Sequence, residues 1–277
     1  MSRLWRDQYQ SYLAPERLDL VRYARGFKPV QTAKKTVFCK IIQGTPSWKS
    51  ALQILDNNLA DAAGTELSVT LSNHFVRYVT LPPQTEIATP EEVKSYATFR
   101  IREIYADRID AWQLSVSEWS PGNGAICAAI PRILMTQLEE IAARHQCKLK
   151  AVEPYLASAY DHWQQLLSGD RVYFAVIETG RICIAILGGG IWLSIRNQKI
   201  LDNPAQELLV ALDQEAIFLN IKQAADIVYV FSPEHPQLKL PENCGWRIIP
   251  LPTELMPALA HYPSVTANPS EMNQCLA

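Results

Sequence analysis

The sequence lacks any apolar run long enough to serve as a membrane helix. Its greasiest stretch, Ile182 to Ile195, is broken by Gly188-Gly189-Gly190 and reads as two paired strands. A CxxC pair is also missing. The six cysteines (Cys39, Cys127, Cys147, Cys183, Cys244 and Cys275) are scattered, and several sit in apolar runs such as Val37-Phe38-Cys39 and Ile126-Cys127-Ala128. That usage argues for buried thiols in a reducing compartment and against a disulfide framework or a zinc site. No GxxxxGK[ST] or GxGxxG phosphate loop occurs, and there is no GxSxG elbow and no HExxH. A strong charge of one sign is absent too. The formal net charge is −2, which removes the electrostatic case for a nucleic-acid partner. The first residues, Met1-Ser2-Arg3-Leu4-Trp5-Arg6-Asp7, have no continuous apolar core of a signal peptide, so the expected location is the cytoplasm.

What is there is the composition of a soluble globular protein. Apolar residues make up 48% and charged residues 19% of 277, a length that predicts two domains. The small net charge hides an asymmetry. Residues 1–35 hold eight Lys/Arg against three Asp/Glu, while the remainder holds 18 against 25. Such a front end suits an acidic membrane surface or partner, and equally a solvated positive face.

Periodicity predicts a first block of three strands, with a Pro15 turn between the first two and a third at Thr36–Ile42. Thr45-Pro46 then reads as the start of a helix with Trp48, Ala51, Leu52, Leu55 and Leu59 on its apolar face and Gly64 at its end. A strand at Leu67–Leu71 follows. A second block opens with a strand at His74–Leu81. Thr89-Pro90-Glu91-Glu92 is a capping box for the next helix, followed by strands Trp112–Trp119 and Ala125–Ile130. A helix from Pro131, a strand at Lys148–Val152 and a helix at Pro154–Leu167 complete it. The third block repeats the first: strands at Tyr173–Ile177, Arg181–Leu187 and Ile191–Arg196, and a helix capped by Asn203-Pro204. Strands at Asp226–Phe231 and Trp246–Pro250, a short helix at Glu254–Ala260 and a loose tail finish the chain. Three strands, a helix and a strand, once in each half, predict two α/β lobes meeting at a cleft.

Chemistry-bearing residues are few. His145 and Cys147 near Cys127 lack the spacing of metal ligands. Glu91-Glu92 and Glu139-Glu140 fit solvated helix faces and helix-dipole matching. Asp161-His162 shows no third partner. Glu178, in Ile177-Glu178-Thr179-Gly180, sits where a strand meets a turn at the mouth of the second lobe. It reads either as a turn acid or as the holder of a magnesium-bound water.

At this point the residues resemble a known group. Leu67-Ser68-Val69-Thr70-Leu71-Ser72-Asn73-His74-Phe75-Val76-Arg77-Tyr78 is similar to a segment of bacterial proteins related to the type II secretion protein GspL and to PilM, the cytoplasmic type IV pilus assembly protein. Lys148 to Ala159 resembles the strand and helix that close that family's first lobe. Val176-Ile177-Glu178-Thr179-Gly180 through Trp192-Leu193-Ser194-Ile195-Arg196 resembles the three-strand opening of its second lobe. The likeness spans about residues 8–260 and rests on pattern more than on invariant motifs.

The resemblance implies an α/β, actin-like (ribonuclease H-like) fold with duplicated βββαβα lobes. The first lobe would be 1–153 with a subdomain inserted near 73–130, the second 154–260, and 261–277 a flexible tail. It also implies a non-catalytic scaffold peripheral to the inner membrane. Such a scaffold docks the cytoplasmic segment of a single-span membrane assembly protein, as PilM-type proteins do, or a secretion or pilus ATPase, as GspL-type proteins do. Homodimerisation is compatible with this picture.

The departures concern nucleotide. Actin-like ATPases hold phosphates on an Asp-x-Gly turn in each lobe. The first turn here is Leu13-Ala14-Pro15-Glu16-Arg17, with no glycine and a proline that removes an amide donor. The second keeps only Glu178, Thr179 and Gly180, and Phe231-Ser232-Pro233-Glu234 stands where paired glycines are expected. The expectation is therefore no cofactor, with those three residues as remnants of a site. The alternatives are an actin-like ATPase or sugar-kinase-like enzyme using MgATP, and a small-molecule-binding protein.

Overall fold

The computed structural model describes residues 6–24, 30–220, 226–241 and 244–252. Two five-stranded sheets with the same topology dominate it. In the first, strands β1 (Gln8–Ala14), β2 (Arg17–Ala24) and β3 (Val30–Phe38) form an antiparallel meander. Strand β4 (Glu66–Leu71) then pairs parallel with β1, and β8 (Lys148–Pro154) parallel with β4. The second sheet repeats this with the meander β9 (Arg171–Glu178), β10 (Arg181–Gly188) and β11 (Ile191–Lys199). Strands β12 (Asp226–Phe231) and β13 (Trp246–Pro250) add on in parallel.

Helix α1 (Lys49–Asn57) crosses from β3 to β4, and α5 (Pro204–Phe218) makes the equivalent crossing from β11 to β12. Between β4 and β8 the chain builds an inserted antiparallel sheet in the order β5-β7-β6. Its parts are β5 (Arg77–Leu81), α2 (Pro90–Tyr105), β6 (Trp112–Val116) and β7 (Ala125–Pro131), and α3 (Arg132–Arg144) leads back to the first sheet. Among the described residues, no helix is long and apolar enough to cross a membrane.

Alternation along the central strands divides the interior. Ile182, Ile184 and Ile186 of β10 and Tyr173, Ala175 and Ile177 of β9 face one way, onto Leu208, Ala211 and Leu212 of α5. Phe174, Val176, Cys183 and Ala185, one residue out of phase, face the other way. There they join Leu13, Leu18, Leu55 and Leu67 of the first lobe in one continuous core, because α4 (Tyr155–Trp163) touches β4 and β8 of the first sheet and β9 of the second. The period of two in a strand buries both faces of this sheet, so its strands read as nearly unbroken apolar runs. The insertion has its own small core, including Val79, Ala97, Ile101 and Cys127.

Several boundaries differ from those expected. β3 runs over Val30–Phe38 and not Thr36–Ile42, because its register follows β2, pairing Arg17 with Phe38 and Ala24 with Val30. Past Phe38 the neighbouring strand has already turned. Thr45 does not cap α1, since its hydroxyl donates to the Ile42 carbonyl in a turn, and the helix starts at Lys49. That helix ends at Asn57 instead of Gly64, and the Asn58 side-chain Nδ2 donates to the Ile54 carbonyl. His74 lies in a turn before β5, and β6 stops at Val116, three residues short of Trp119. The helix expected at Glu254–Ala260, the tail at 261–277, Cys275 and the basic residue Arg3 lie outside the described residues.

Candidate functional site: the cleft between the lobes

Both hairpins that open the lobes point their turns at the same cleft. In the first lobe a two-residue turn, Pro15-Glu16, joins β1 to β2. In the second, Thr179-Gly180 joins β9 to β10, and Gly180 takes a positive φ of 74° that favours glycine. The sequence placed Glu178, Thr179 and Gly180 together at this turn, and so does the structure.

Glu178 is 2% exposed. Its two carboxylate oxygens are held by the opposite lobe: Tyr12 donates its hydroxyl to Oε1 at 2.6 Å, and the Asn73 amide donates to Oε2 at 3.1 Å. Burial pushes its pKa up to about 7, against the opposing pull of hydrogen bonds from the Ser72 and Tyr12 hydroxyls and the Asn73 amide. The phenol of Tyr12 is raised well above its ordinary range, by burial first and then by the carboxylate beside it. Asn73 is itself fixed: its Oδ1 accepts from the Tyr78 hydroxyl and the Leu156 amide, and its carbonyl accepts from the Asn197 side chain of β11.

The next residue of the turn is bound just as firmly. Both the amide and the hydroxyl of Thr179 donate to Glu234 Oε2 at 2.5 Å. Glu234 comes from the loop after β12, and its Oε1 accepts from Arg17 of the first lobe at 3.2 Å. Arg17 also grips Asp19 at 2.6 Å, and Asp19 accepts from the Thr36 hydroxyl. The Thr179 carbonyl meets His74 Nε2 at 3.0 Å. Burial lowers the His74 pKa to about 4, so the ring is neutral near pH 7 and Nε2 carries the donated proton. A ladder of side chains from Asp19 through Arg17 and Glu234 to Thr179 thus ties the two opening hairpins together.

Beneath this polar layer the cleft floor is aromatic. The rings of Tyr12 and Tyr155 are 4.8 Å apart, and those of Tyr155 and Phe231 are 6.0 Å apart. Reasoning from sequence singled out Glu178 but not Tyr12, Asn73, His74 or Arg17. It noted Glu234 only as a departure from a glycine pair. No spacing rule links residues 55 to 217 positions apart, so the sole local signal was an acid at a strand-to-turn junction.

The remaining candidates have ordinary roles. His145 bonds to Asp56 at 2.8 Å, and Cys127 and Cys147 lie in different cores. Burial pushes the Cys127 thiol up to about 12. Among the described residues, no cluster of His, Cys, Asp and Glu could hold a metal ion. Glu92 completes the capping box of α2 with Thr89. His162 packs its ring edge-on against Trp163. Two cavities, of about 420 and 160 Å3, lie away from the cleft. One sits between α2 and the end of β6, the other beside the Gly189-Gly190 turn.

No family model and no curated protein matches the sequence. Solved structures do match. The chain aligns with one from a PilM–PilN type IV pilus biogenesis complex at a TM-score of 0.64 and 15% identity, covering 90% of this chain and 89% of that one. It aligns with the cytoplasmic domain of EpsL, an inner-membrane component of the Vibrio cholerae type II secretion system, at 0.56 and 12%, covering 89% and 90%. A Bacteroides thetaiotaomicron protein of unknown function with an actin-like ATPase fold aligns at 0.55 and 10%, covering 83% and 85%. The chain has the actin-like fold. The duplicated sheets, the crossing helices α1 and α5, and the antiparallel insertion are its parts. Its two opening hairpins turn at Pro15-Glu16 and at Thr179-Gly180.

Proposed function

We propose that this protein is a non-catalytic, actin-like scaffold of a type IV pilus or type II secretion-like platform at the inner membrane. It docks the cytoplasmic segment of a membrane partner in a groove between its subdomains. The fold it shares with the EpsL cytoplasmic domain and the chain of the PilM–PilN complex supports the setting. One observation supports the loss of catalysis above the others: the Glu234 carboxylate takes both the amide and the hydroxyl of Thr179. A phosphate held on that turn would need those donors. It would also meet a carboxylate where it needs positive charge.

Thermal unfolding with and without millimolar MgATP tests this reading. Ligand at about 100 times its dissociation constant adds roughly 2.7 kcal/mol, enough to raise the midpoint by several degrees. An unchanged midpoint, together with retention of an inner-membrane assembly protein in a pull-down, is the expected result. A clear rise that Glu178→Ala weakens would overturn it in favour of an actin-like ATPase.

A further inference from the structure

We infer that the outer edge of the first sheet, β3 with the loop that follows it, is a docking surface for an anionic lipid membrane. The inference stands apart from the scaffold reading and uses none of the cleft residues. β3 is the edge strand of its sheet, and nearly every residue along it is exposed. An open edge of this kind is normally hidden or guarded. Here it ends in large apolar side chains turned to solvent: Phe38 is 75% exposed, and Ile41 and Ile42 are 45% and 48% exposed.

Charge identifies what covers it. Between Asp19 and Asp56 the sequence contains no acidic residue and seven basic ones. Within that span, and among the described residues, Lys34, Lys40 and Lys49 make no ion pair, and Lys35 donates to the neutral Asn58 Oδ1. The carboxylates bordering the span are engaged elsewhere, Asp19 by Arg17 and Asp56 by Arg144 and His145. Glu16 is the exposed acid beside the patch, its carbonyl accepting from the Cys39 amide. Two other groups of exposed apolar side chains lack this excess of basic over acidic residues. Val210, Ile217 and Phe218 project from α5, which has no Lys or Arg, and Phe99 and Ile104 on α2 lie among Arg100, Arg102 and Glu103.

Lys34 shares a face of β3 with Phe38, four residues on, and apolar tips beside ammonium groups match the two layers of a bilayer surface. Phe38, Ile41 and Ile42 would enter the headgroup–acyl boundary while the lysines meet lipid phosphates. Lys34 and Phe38 are four residues apart on β3, so the basic and apolar groups of that face are spread over roughly 13 Å.

The test is flotation of the full chain with vesicles of phosphatidylcholine alone or mixed with phosphatidylglycerol, at low and high salt. Binding is expected only with the anionic lipid and should fall as salt rises. Lys34→Gln with Lys40→Gln should lower partitioning roughly thirty-fold, at about tenfold per 1.4 kcal/mol and about 1 kcal/mol per basic residue. Phe38→Ser with Ile41→Ser should also weaken it, whereas Lys94→Gln with Lys148→Gln should not. Melting curves confirm that each variant is folded. Failure of the wild type to float with anionic vesicles would overturn the proposal. So would equal losses from the patch and control lysine pairs. Binding to soluble polyglutamate without vesicle binding would overturn it in favour of an acidic protein segment.

Discussion

Tyr12 and Glu178 lie 166 residues apart in the sequence, yet the Tyr12 hydroxyl donates to the Glu178 carboxylate at 2.6 Å across the cleft between the lobes. Both side chains are buried. The pair joins β1 of the first sheet to β9 of the second, the two strands that occupy equivalent places in the duplicated fold. A cleft that could open for a ligand would have to break this bond and strand a carboxylate away from its donors.

Replacing Tyr12 by Phe keeps the ring against Tyr155 and removes only the donor. A hydrogen bond to a charged acceptor is worth about 1.5–3 kcal/mol, so in chemical unfolding at about pH 8, where Glu178 is ionised, Tyr12→Phe should cost about 2 kcal/mol. The double variant with Glu178→Gln should cost less than the sum of the singles, because both delete one interaction. Strict additivity would show that the pair is not coupled.

Gly124 makes a second, purely steric prediction. It ends the turn between β6 and β7 at a φ of 70°, and a Cβ there would lie 2.0 Å from the Leu81 carbonyl oxygen. Neither backbone can yield without breaking the β5–β7 pairing that ends at Leu81 and Ala125. Gly124→Ala should therefore destabilise the inserted sheet by about 3 kcal/mol or more, combining clash with left-handed strain. Limited proteolysis should cut the variant first within residues 77–131.

The Glu234 carboxylate makes a third prediction, about anions. Glu234→Ala would leave the Thr179 amide and hydroxyl and the Arg17 guanidinium facing a common gap. Such a set of donors binds phosphate. Millimolar inorganic phosphate should raise the melting midpoint of the variant and leave the wild type unchanged. Equal responses would mean that Glu234 does not block the turn.

Local rules made much of this fold legible in the sequence. The Ile182–Ile195 run resolves into a hairpin because glycines with positive φ, Gly189 and Gly190, interrupt two alternating patterns. The α2 capping box and the Asn203 cap of α5 were visible because each is set within four residues. The limits of β3 and α1 were not. The first depends on register with β2, and the second on Thr45 spending its hydroxyl in a preceding turn. The site was legible only as Glu178 and its turn. Its meaning comes from Tyr12 on β1 and from Asn73 and Glu234 in the loops after β4 and β12, which carry no mark in the chain that they will meet.

The same cluster sets a pH dependence with a definite sign. An unfolded glutamate loses its proton near 4.5, whereas Glu178 in the fold keeps it until about 7. Between those values the folded state binds more protons, so this group makes stability fall as pH rises. His74 acts in the opposite direction. Unfolded, it gains a proton below 6.5, but in the fold it resists until about 4, so its contribution is lost as pH falls. The two largely cancel between about pH 4.5 and 6.5, and the wild type hides both. Glu178→Gln removes one of them, because a neutral amide stands in for the protonated acid at every pH. The stability of this variant relative to wild type should therefore increase with pH, by up to about 3 kcal/mol between about pH 4.5 and 8. Urea unfolding of both proteins across that range reads the difference directly, with all unchanged groups cancelling. A difference that stays constant with pH would mean that Glu178 titrates as an ordinary carboxylate, and that the closed cleft does not hold it dry.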